Sequence, residues 1–145
     1  MLPGDRVAFG SFLRGLSRED LASRFGKPLD PASPVVERFL FGPGDETRDV
    51  VGAFEWGGEL LGSANLCLSA AGVGEVTLIV TEAARSRSVG RALVSQLVVA
   101  AGRRRFRQLE AYISPGNAVA RRLAARCGFR LLGRDAGYLR FGLDV

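Results

Sequence analysis

The residues with the clearest capacity for chemistry form a small-residue and arginine segment, Arg85-Ser-Arg-Ser-Val-Gly-Arg91. An apolar run rich in β-branched residues, 76–80, precedes it and predicts a buried strand. Apolar residues at Leu93, Leu97 and Ala100 follow at helical spacing. A strand that leads through such a turn to a helix N-terminus presents free backbone N–H groups and the positive end of the helix dipole to an anion. The segment therefore predicts a phosphate-binding site, although an ordinary strand–loop–helix connection with solvated arginines explains the same residues.

Histidine is absent from the 145 residues, and its absence excludes several kinds of catalytic and metal site. A histidine triad, a histidine metal site and a histidine general base are all excluded. The two cysteines, Cys67 and Cys127, lack the spacing of metal ligands, so no metal site is predicted. We expect two buried free thiols rather than a disulfide.

Length and composition indicate one globular domain over residues 1–145. Apolar residues make up 47% of the chain, and no apolar run approaches the roughly 18 residues of a membrane span. The segment Met1–Arg6 lacks the charged-then-apolar build of a signal peptide. We therefore expect a cytoplasmic protein with no membrane partner.

The net charge of +5 comes almost entirely from arginine, since Lys27 is the only lysine. Nucleic acid, an anionic cofactor or an arginine-rich genomic composition would each account for this charge. Charge alone does not choose among them. The basic cluster at 103–107 follows a predicted helix, where cations complement the helix dipole.

The pattern of elements predicts an α+β fold with a mixed sheet that is parallel where helices cross over. Helices are predicted over 7–16, 17–25 and 35–41, from Gly90 onward and from Asn117 to Cys127. Six strands are predicted over 49–56, 59–69, 75–80, 108–113, 129–134 and 138–143. A two-residue turn at 57–58 is expected to join the first two strands. The aromatic residues expected in the core include Phe12, Trp56 and Tyr138.

Two motifs resemble those of the GNAT superfamily of N-acetyltransferases. The family's cofactor loop, Arg/Gln-x-x-Gly-x-Gly/Ala, commonly reads Arg-Gly-Arg-Gly-Ile-Gly-Arg-Ala-Leu, and here it reads Arg85-Ser-Arg-Ser-Val-Gly-Arg-Ala-Leu93. The second motif, Asn-x-x-Ala-x-x-Leu ending in Gly-Phe, matches Asn117-Ala-Val-Ala-Arg-Arg-Leu123 and then Gly128-Phe129. Small GNAT domains of the protein-lysine-acetyltransferase type carry Ala-Glu-Val-Ala-x-x-Val before the loop, which is similar to Gly74-Glu-Val-Thr-Leu-Ile-Val80.

The resemblance implies a mixed, mostly antiparallel central sheet flanked by helices, with acetyl-CoA as co-substrate. The strands at 75–80 and 108–113 would splay apart and open a cleft for the thioester. Backbone groups at the end of the first of these strands would pair with the pantetheine arm, loop amides would bind the pyrophosphate, and an asparagine would face the pantetheine or the thioester. The implied cofactor-binding residues are Leu78, Ile79, Val80, Arg85, Ser86, Arg87, Ser88, Val89, Gly90, Arg91, Ala92 and Asn117.

The implied reaction is direct transfer of acetyl from the thioester to a primary amine. An alkyl amine with a pKa near 10.4 is protonated at pH 7, and exposing its lone pair costs about 4.6 kcal/mol. Glu75 matches the family's glutamate and is the candidate general base, directly or through a water, although a solvated strand end would also suit it. Tyr112, on the opposed strand, is a second catalytic candidate that would protonate the thiolate, although packing would also explain it.

Three departures from the family pattern affect these expectations. Ser88 replaces the first loop glycine, but it still offers a backbone N–H, and its hydroxyl would cap the helix or donate to phosphate. Ala124 occupies the place of the tyrosine that many members use as general acid. The first strand of the family is expected to be short or missing, because Pro3-Gly-Asp5 aligns with its end. The resulting open edge would allow a homodimer.

Two other functions suit the same residues. The departures at Ser88 and Ala124 motivate a non-catalytic acetyl-CoA-binding sensor or a degenerate enzyme. The arginines alone would suit a nucleic-acid-binding domain, which has no motif of interleaved basic and aromatic residues behind it. The acceptor, a small molecule or a protein, is not specified by the sequence. Glu59, Glu110 and Asp135 are unranked candidates for orienting a cationic acceptor.

Overall fold

The computed structural model describes residues 10–12, 14, 16, 46–85 and 88–145. Residues 10–12 and 14 are helical, and Phe12 and Leu16 are buried. The predicted helices at 17–25 and 35–41 and the first family strand lie outside the described residues. The remaining elements are the strands β1 Arg48–Phe54, β2 Leu60–Ala70, β3 Val73–Val80, β4 Gln108–Ile113, β5 Arg130–Asp135 and β6 Tyr138–Asp144, and the helices α1 Val89–Arg103 and α2 Ala118–Arg126.

The six strands form one sheet in the order β1-β2-β3-β4-β6-β5. Four of the five neighbouring pairs are antiparallel, and β3 with β4 is the parallel pair. The crossover through α1 makes this pair parallel, because a helix carries the chain back along the sheet. The predicted mixed, mostly antiparallel α+β fold is confirmed.

The parallel pair is joined over a short distance only. Its register contains Val73 with Gln108, Gly74 with Leu109 and Glu75 with Glu110. Beyond these three pairs β3 continues to residue 80 and β4 to residue 113 without pairing to each other. The predicted splay is therefore present, and it leaves a V-shaped opening with its vertex at the last pair.

One face of the sheet is filled by apolar side chains under α1 and α2. Strand alternation places residues 62, 64 and 66 of β2 on this face, beside 76, 78 and 80 of β3. Leu93 and Leu97 of α1 belong to the same buried apolar cluster as Leu66 and Val76. Most of the described apolar cluster therefore lies between the helices and this face, which we call the helix face, while Val50, Leu61 and Ile79 are buried on the opposite face. The other face of the sheet is called the polar face.

The two helices end as their sequences indicate. Gly128 has φ +89°, and the N–H groups of Gly128 and Phe129 bond to the carbonyls of Ala125 and Ala124 at 3.1 and 2.9 Å. Such a left-handed glycine closes a helix by satisfying its last carbonyls. Arg104, which follows α1, forms an ion pair with Asp49 of β1, with 2.5 Å between Nε and Oδ2. One arginine of the basic cluster at 103–107 therefore stabilises the fold.

Two local predictions differ from the structure. The first hairpin has a loop of residues 55–59 rather than a two-residue turn at 57–58, because the strand register shifts between Ala53 and Phe54. This loop carries Trp56, which is fully exposed rather than in the core. Strand β3 begins at Val73, two residues before the predicted start. Among the described residues, no helix is long and apolar enough to cross a membrane.

Candidate functional site

The N-terminus of α1 lies immediately after β3 and a short 3-10 turn, Glu82–Ala84. The first backbone hydrogen bond of α1 runs from the Ala92 N–H to the Ser88 carbonyl, at 3.1 Å. The N–H groups of Val89, Gly90 and Arg91 therefore have no acceptor within the helix. These donors and the positive end of a 15-residue helix form an anion-binding surface. The predicted residues Ser86 and Arg87 lie outside the described part of the chain.

Ser88 occupies the position before α1 with φ +61°, in the left-handed region that glycine adopts without steric cost. Its side chain is exposed and makes no capping hydrogen bond. The capping role predicted for the Ser88 hydroxyl is therefore wrong in this structure. The left-handed backbone turns the hydroxyl away from the geometry of an ordinary N-cap, which has an extended backbone. The serine holds this left-handed conformation at some cost in backbone strain.

Gly90 meets a different requirement in the same loop. A Cβ atom at this position would lie 2.8 Å from Cδ2 of Leu123 on α2. Any side chain at position 90 would push the end of the Leu123 side chain aside, so glycine lets the first turn of α1 pack against α2 without that shift. The two loop positions therefore differ in physical role, since position 88 has a left-handed backbone and position 90 lies directly against the Leu123 side chain.

The edge of β3 beyond Glu75 faces the V-shaped opening. In this part of β3, which includes the predicted residues Leu78, Ile79 and Val80, the alternate backbone groups directed toward β4 have no strand partner. A pantetheine arm contains amide groups that complement such an edge. The open edge leads directly to the N-terminus of α1, so one extended ligand would reach both features.

Asn117 on the other side of the opening is the N-cap of α2. Its Oδ1 accepts a hydrogen bond from the Ala120 N–H at 3.2 Å. This is the structural role that the sequence predicted beside the cofactor role. Ala124, in the place of the family tyrosine, is buried in the apolar cluster and offers no polar group. Arg121 is also tied to this region, because its guanidinium donates to the Pro115 carbonyl at 2.6 Å.

Two carboxylates meet at the vertex of the opening. Glu75 and Glu110 are register partners, so their side chains lie on the same face, the polar face. Glu110 is buried, and its Oε1 lies 3.0 Å from the Arg140 guanidinium. The Tyr112 hydroxyl donates to the other oxygen of Glu110 at 3.2 Å. Glu59 and Asp135, the other two carboxylates considered for orienting an acceptor, are both exposed.

The surroundings of Tyr112 keep its hydroxyl protonated. Desolvation raises the pKa of Tyr112, the hydrogen bond to Glu110 and the negative charges of Glu110 and Asp135 raise it further, and Arg140 lowers it. The hydroxyl therefore carries a proton throughout the neutral range. Tyr112 lies two residues beyond the vertex on β4, as Thr77 does on β3, so the two side chains flank the opening on the polar face.

Cys127, the C-cap of α2, has the properties of a packed thiol. Burial raises the pKa of its thiol, while the positive charge of Arg91 lowers it. Both cysteines are free, as predicted, and each is partly rather than fully buried. A thiol with a raised pKa is a poor nucleophile at neutral pH, so Cys127 is not assigned to catalysis.

The sequence did not single out the polar side chains of the central strands. Ser63 and Asn65 on β2 and Thr77 on β3 lie on the polar face, and the first two are at most 1% exposed. The signal was present as polar residues at alternating positions of an otherwise apolar strand. These polar residues could not be assigned to a site from the sequence, because every residue of β2 from Leu60 to Leu66 is buried and the pattern does not indicate which face the helices cover.

Comparisons with known proteins agree with this architecture. The family model described as acetyltransferase (GNAT) family matches residues 17–129. The GNAT domain of S. lividans PAT superposes with a TM-score of 0.89 at 22% identity, covering 100% of this chain and 88% of that one. A GCN5-related N-acetyltransferase from Kribbella flavida gives a TM-score of 0.79 at 25% identity, covering 100% and 95%. No curated protein sequence matches this one.

A third solved structure has the cofactor in place. The phosphinothricin acetyltransferase of Sinorhizobium meliloti, solved in complex with acetyl-CoA, gives a TM-score of 0.72 at 21% identity, and the match covers 96% of this chain and 84% of that one. The family match spans the strand–loop–helix segment, the V-shaped opening and the Asn117 motif together. The expected family, fold and enzyme class are thereby confirmed, and this chain belongs to the GNAT family of acetyltransferases.

Proposed function

We propose that this protein transfers an acetyl group from acetyl-CoA directly to a primary amine of a small molecule or a protein. The observation that carries the proposal is the V-shaped opening between β3 and β4. It connects the anion-binding N-terminus of α1 with the carboxylates at the vertex. A cofactor with phosphate at one end and a thioester at the other suits such a path.

The anionic end of the cofactor would bind at the segment 85–92. The N–H groups of Val89, Gly90 and Arg91 would donate to the pyrophosphate, and exposed arginines would add positive charge. The pantetheine amides would pair with the open edge of β3 at 78–80. Asn117 caps α2 through its oxygen, which leaves its amide nitrogen able to donate to the cofactor.

The acceptor would reach the thioester from the polar face, because apolar packing under α1 and α2 fills the helix face. Glu75 would take a proton from the amine, either directly or through a water. The amine nitrogen would then bond to the thioester carbonyl carbon, and the carbon–sulfur bond would break. Tyr112, whose hydroxyl stays protonated in the neutral range, would give its proton to the departing thiolate and recover one from the nitrogen as the amide forms.

A cytoplasmic location and the absence of a nucleic-acid or membrane partner remain expectations. Free rather than paired cysteines support a reducing compartment. A homodimer also remains an expectation, and so does a single domain over residues 1–145.

A thermal-shift measurement followed by an amine panel tests the proposal. We expect acetyl-CoA and CoA to raise the unfolding temperature, with ATP as a control of similar anionic character. Release of free thiol from acetyl-CoA on adding primary amines would then show transfer. Stabilisation by acetyl-CoA without transfer to any amine would favour the sensor function instead. Absence of stabilisation by either CoA species would contradict the cofactor assignment.

A further inference from the structure

Two neighbouring polar side chains on the polar face are buried without partners. Asn65 is 1% exposed, and neither its Nδ2 nor its Oδ1 has a hydrogen-bond partner. The Thr77 hydroxyl oxygen is also sealed from solvent and unpaired. Asn65 and Thr77 are register partners on β2 and β3, so they lie side by side. Together they present unused donors and acceptors at one spot.

Such a pair is unfavourable for folding alone. A buried polar group without a partner loses its hydrogen bonds to water and gains nothing in return. Val50, the register partner of Asn65 on β1, and Ile79, two residues beyond Thr77, are buried apolar residues on the same face, so this face accepts apolar side chains where packing alone decides. Asn65 and Thr77 therefore have the properties of groups that receive a partner from outside the chain.

Their position relates them to the proposed reaction. Thr77 is two residues beyond Glu75 on the same face of β3, and it flanks the opening opposite Tyr112. Asn65 lies one strand behind Thr77, a separation of about 4.8 Å. A group on the acceptor a few bonds away from its amine would therefore lie beside the pair while the amine is near Glu75, and it would contact the pair by displacing the atoms that close both groups to solvent.

We propose that Asn65 and Thr77 form a subsite that binds a neutral hydrogen-bonding group of the acceptor and so contributes to acceptor choice. The inference rests on the proposed transfer to an amine. An amide and a hydroxyl both donate and accept, and neither carries charge, so the complementary group is a carboxamide or a hydroxyl. Plain alkyl amines would leave the pair unsatisfied and would be poorer acceptors.

The first test observes binding without turnover. Side-chain amide signals of ¹⁵N-labelled protein are recorded in the CoA complex, which has no acetyl group to transfer. The chain has two asparagines and two glutamines, so the Asn65 signal is assigned by its loss in Asn65→Leu. We expect β-alaninamide to shift the Asn65 signal and butylamine to leave it unchanged. If the Asn65 signal does not shift at a saturating concentration of β-alaninamide, the proposed subsite is contradicted.

The second test compares matched acceptors in the acetyl-transfer assay. We expect kcat/KM for β-alaninamide to exceed that for butylamine by at least about tenfold, because a site built for a polar group rejects the analogue that lacks it. Asn65→Leu and the isosteric Thr77→Val should reduce this ratio toward one. Their unfolding temperatures should stay equal or rise, since unpaired polar atoms are removed. Amine acetylation with an unchanged ratio in both variants overturns this inference, whereas failure of all acetylation contradicts the proposed function.

Discussion

The two faces of the central sheet are built from the same strands but differ in their chemistry. On the helix face, alternate residues of β2 and β3 pack with Leu93 and Leu97 in a continuous apolar cluster. On the polar face, Glu110 at the vertex where β3 and β4 separate is buried, and so are Asn65 and the Thr77 hydroxyl on the adjoining strands β2 and β3. The first face carries most of the described apolar packing, whereas the second also contains buried polar groups that stability alone would not select.

This difference separates holding the cofactor from reacting with the acceptor. The groups proposed to bind the cofactor are mainly backbone N–H and C=O groups, whose positions depend on packing rather than on side-chain identity. The groups expected to meet the amine are side chains on the opposite face. Substitutions on the two faces should therefore affect different measurements.

The largest effect is expected for Glu75→Gln on the polar face. Removing a positioned base should lower kcat for amine acetylation by about 10²- to 10⁴-fold. Stabilisation by acetyl-CoA, measured by thermal shift, should be retained, because Glu75 is not among the residues proposed to bind the cofactor. Glu46→Gln, at an exposed position before β1, is the matched control. Unchanged transfer in Glu75→Gln would remove Glu75 from the mechanism.

The next effect is expected for Leu97→Ala on the helix face. Leu97 is fully buried, and its truncation should lower the free energy of unfolding by about 2–5 kcal/mol in urea denaturation. Val99→Ala, on the exposed side of the same helix, should change it by less than about 0.5 kcal/mol. Equal effects of the two substitutions would contradict the assignment of the packed face.

A smaller effect, of opposite sign, is expected for Ser88→Gly. Glycine relieves the left-handed strain at φ +61°, and we expect a gain of about 0.5–1 kcal/mol in the free energy of unfolding, with acetyl-CoA binding retained. Ser95→Gly inside α1 is the control and should be destabilising by about 1 kcal/mol. It also loses the hydrogen bond from the Ser95 hydroxyl to the Arg91 carbonyl. If Ser88→Gly lowered the free energy of unfolding, the serine side chain would make a stabilising contact beyond those described above.

The smallest effect concerns the thiol of Cys127. Its pKa is raised by burial and lowered by Arg91, so less thiolate is present at pH 8 than for an ordinary cysteine. A pyrophosphate that neutralises Arg91 would remove the lowering influence and raise the pKa further. In a Cys67→Ser background, acetyl-CoA should therefore slow alkylation of Cys127 by iodoacetamide a few-fold. Alkylation that is equally fast with acetyl-CoA would argue against a cofactor anion beside Arg91.

Several features could be predicted because they depend on local sequence. Strand β4 has the predicted bounds, since polar and turn residues flank its apolar pattern on both sides. Asn117 caps α2 as its type and position indicate. The hairpin loop and the exposure of Trp56 could not be predicted, because a shift of strand register depends on packing between strands rather than on the two glycines alone.

The sequence by itself determined the order of elements, the motif of the α1 loop and the family to which they belong. Periodicity and turn residues encode these features over a few neighbouring positions. Only the tertiary structure decided that Glu75 and Glu110 meet at the vertex, that Asn65 and Thr77 are buried without partners, and that Gly90 approaches Leu123. These relations join residues distant in sequence, and the register of neighbouring strands and the packing of helices fix them.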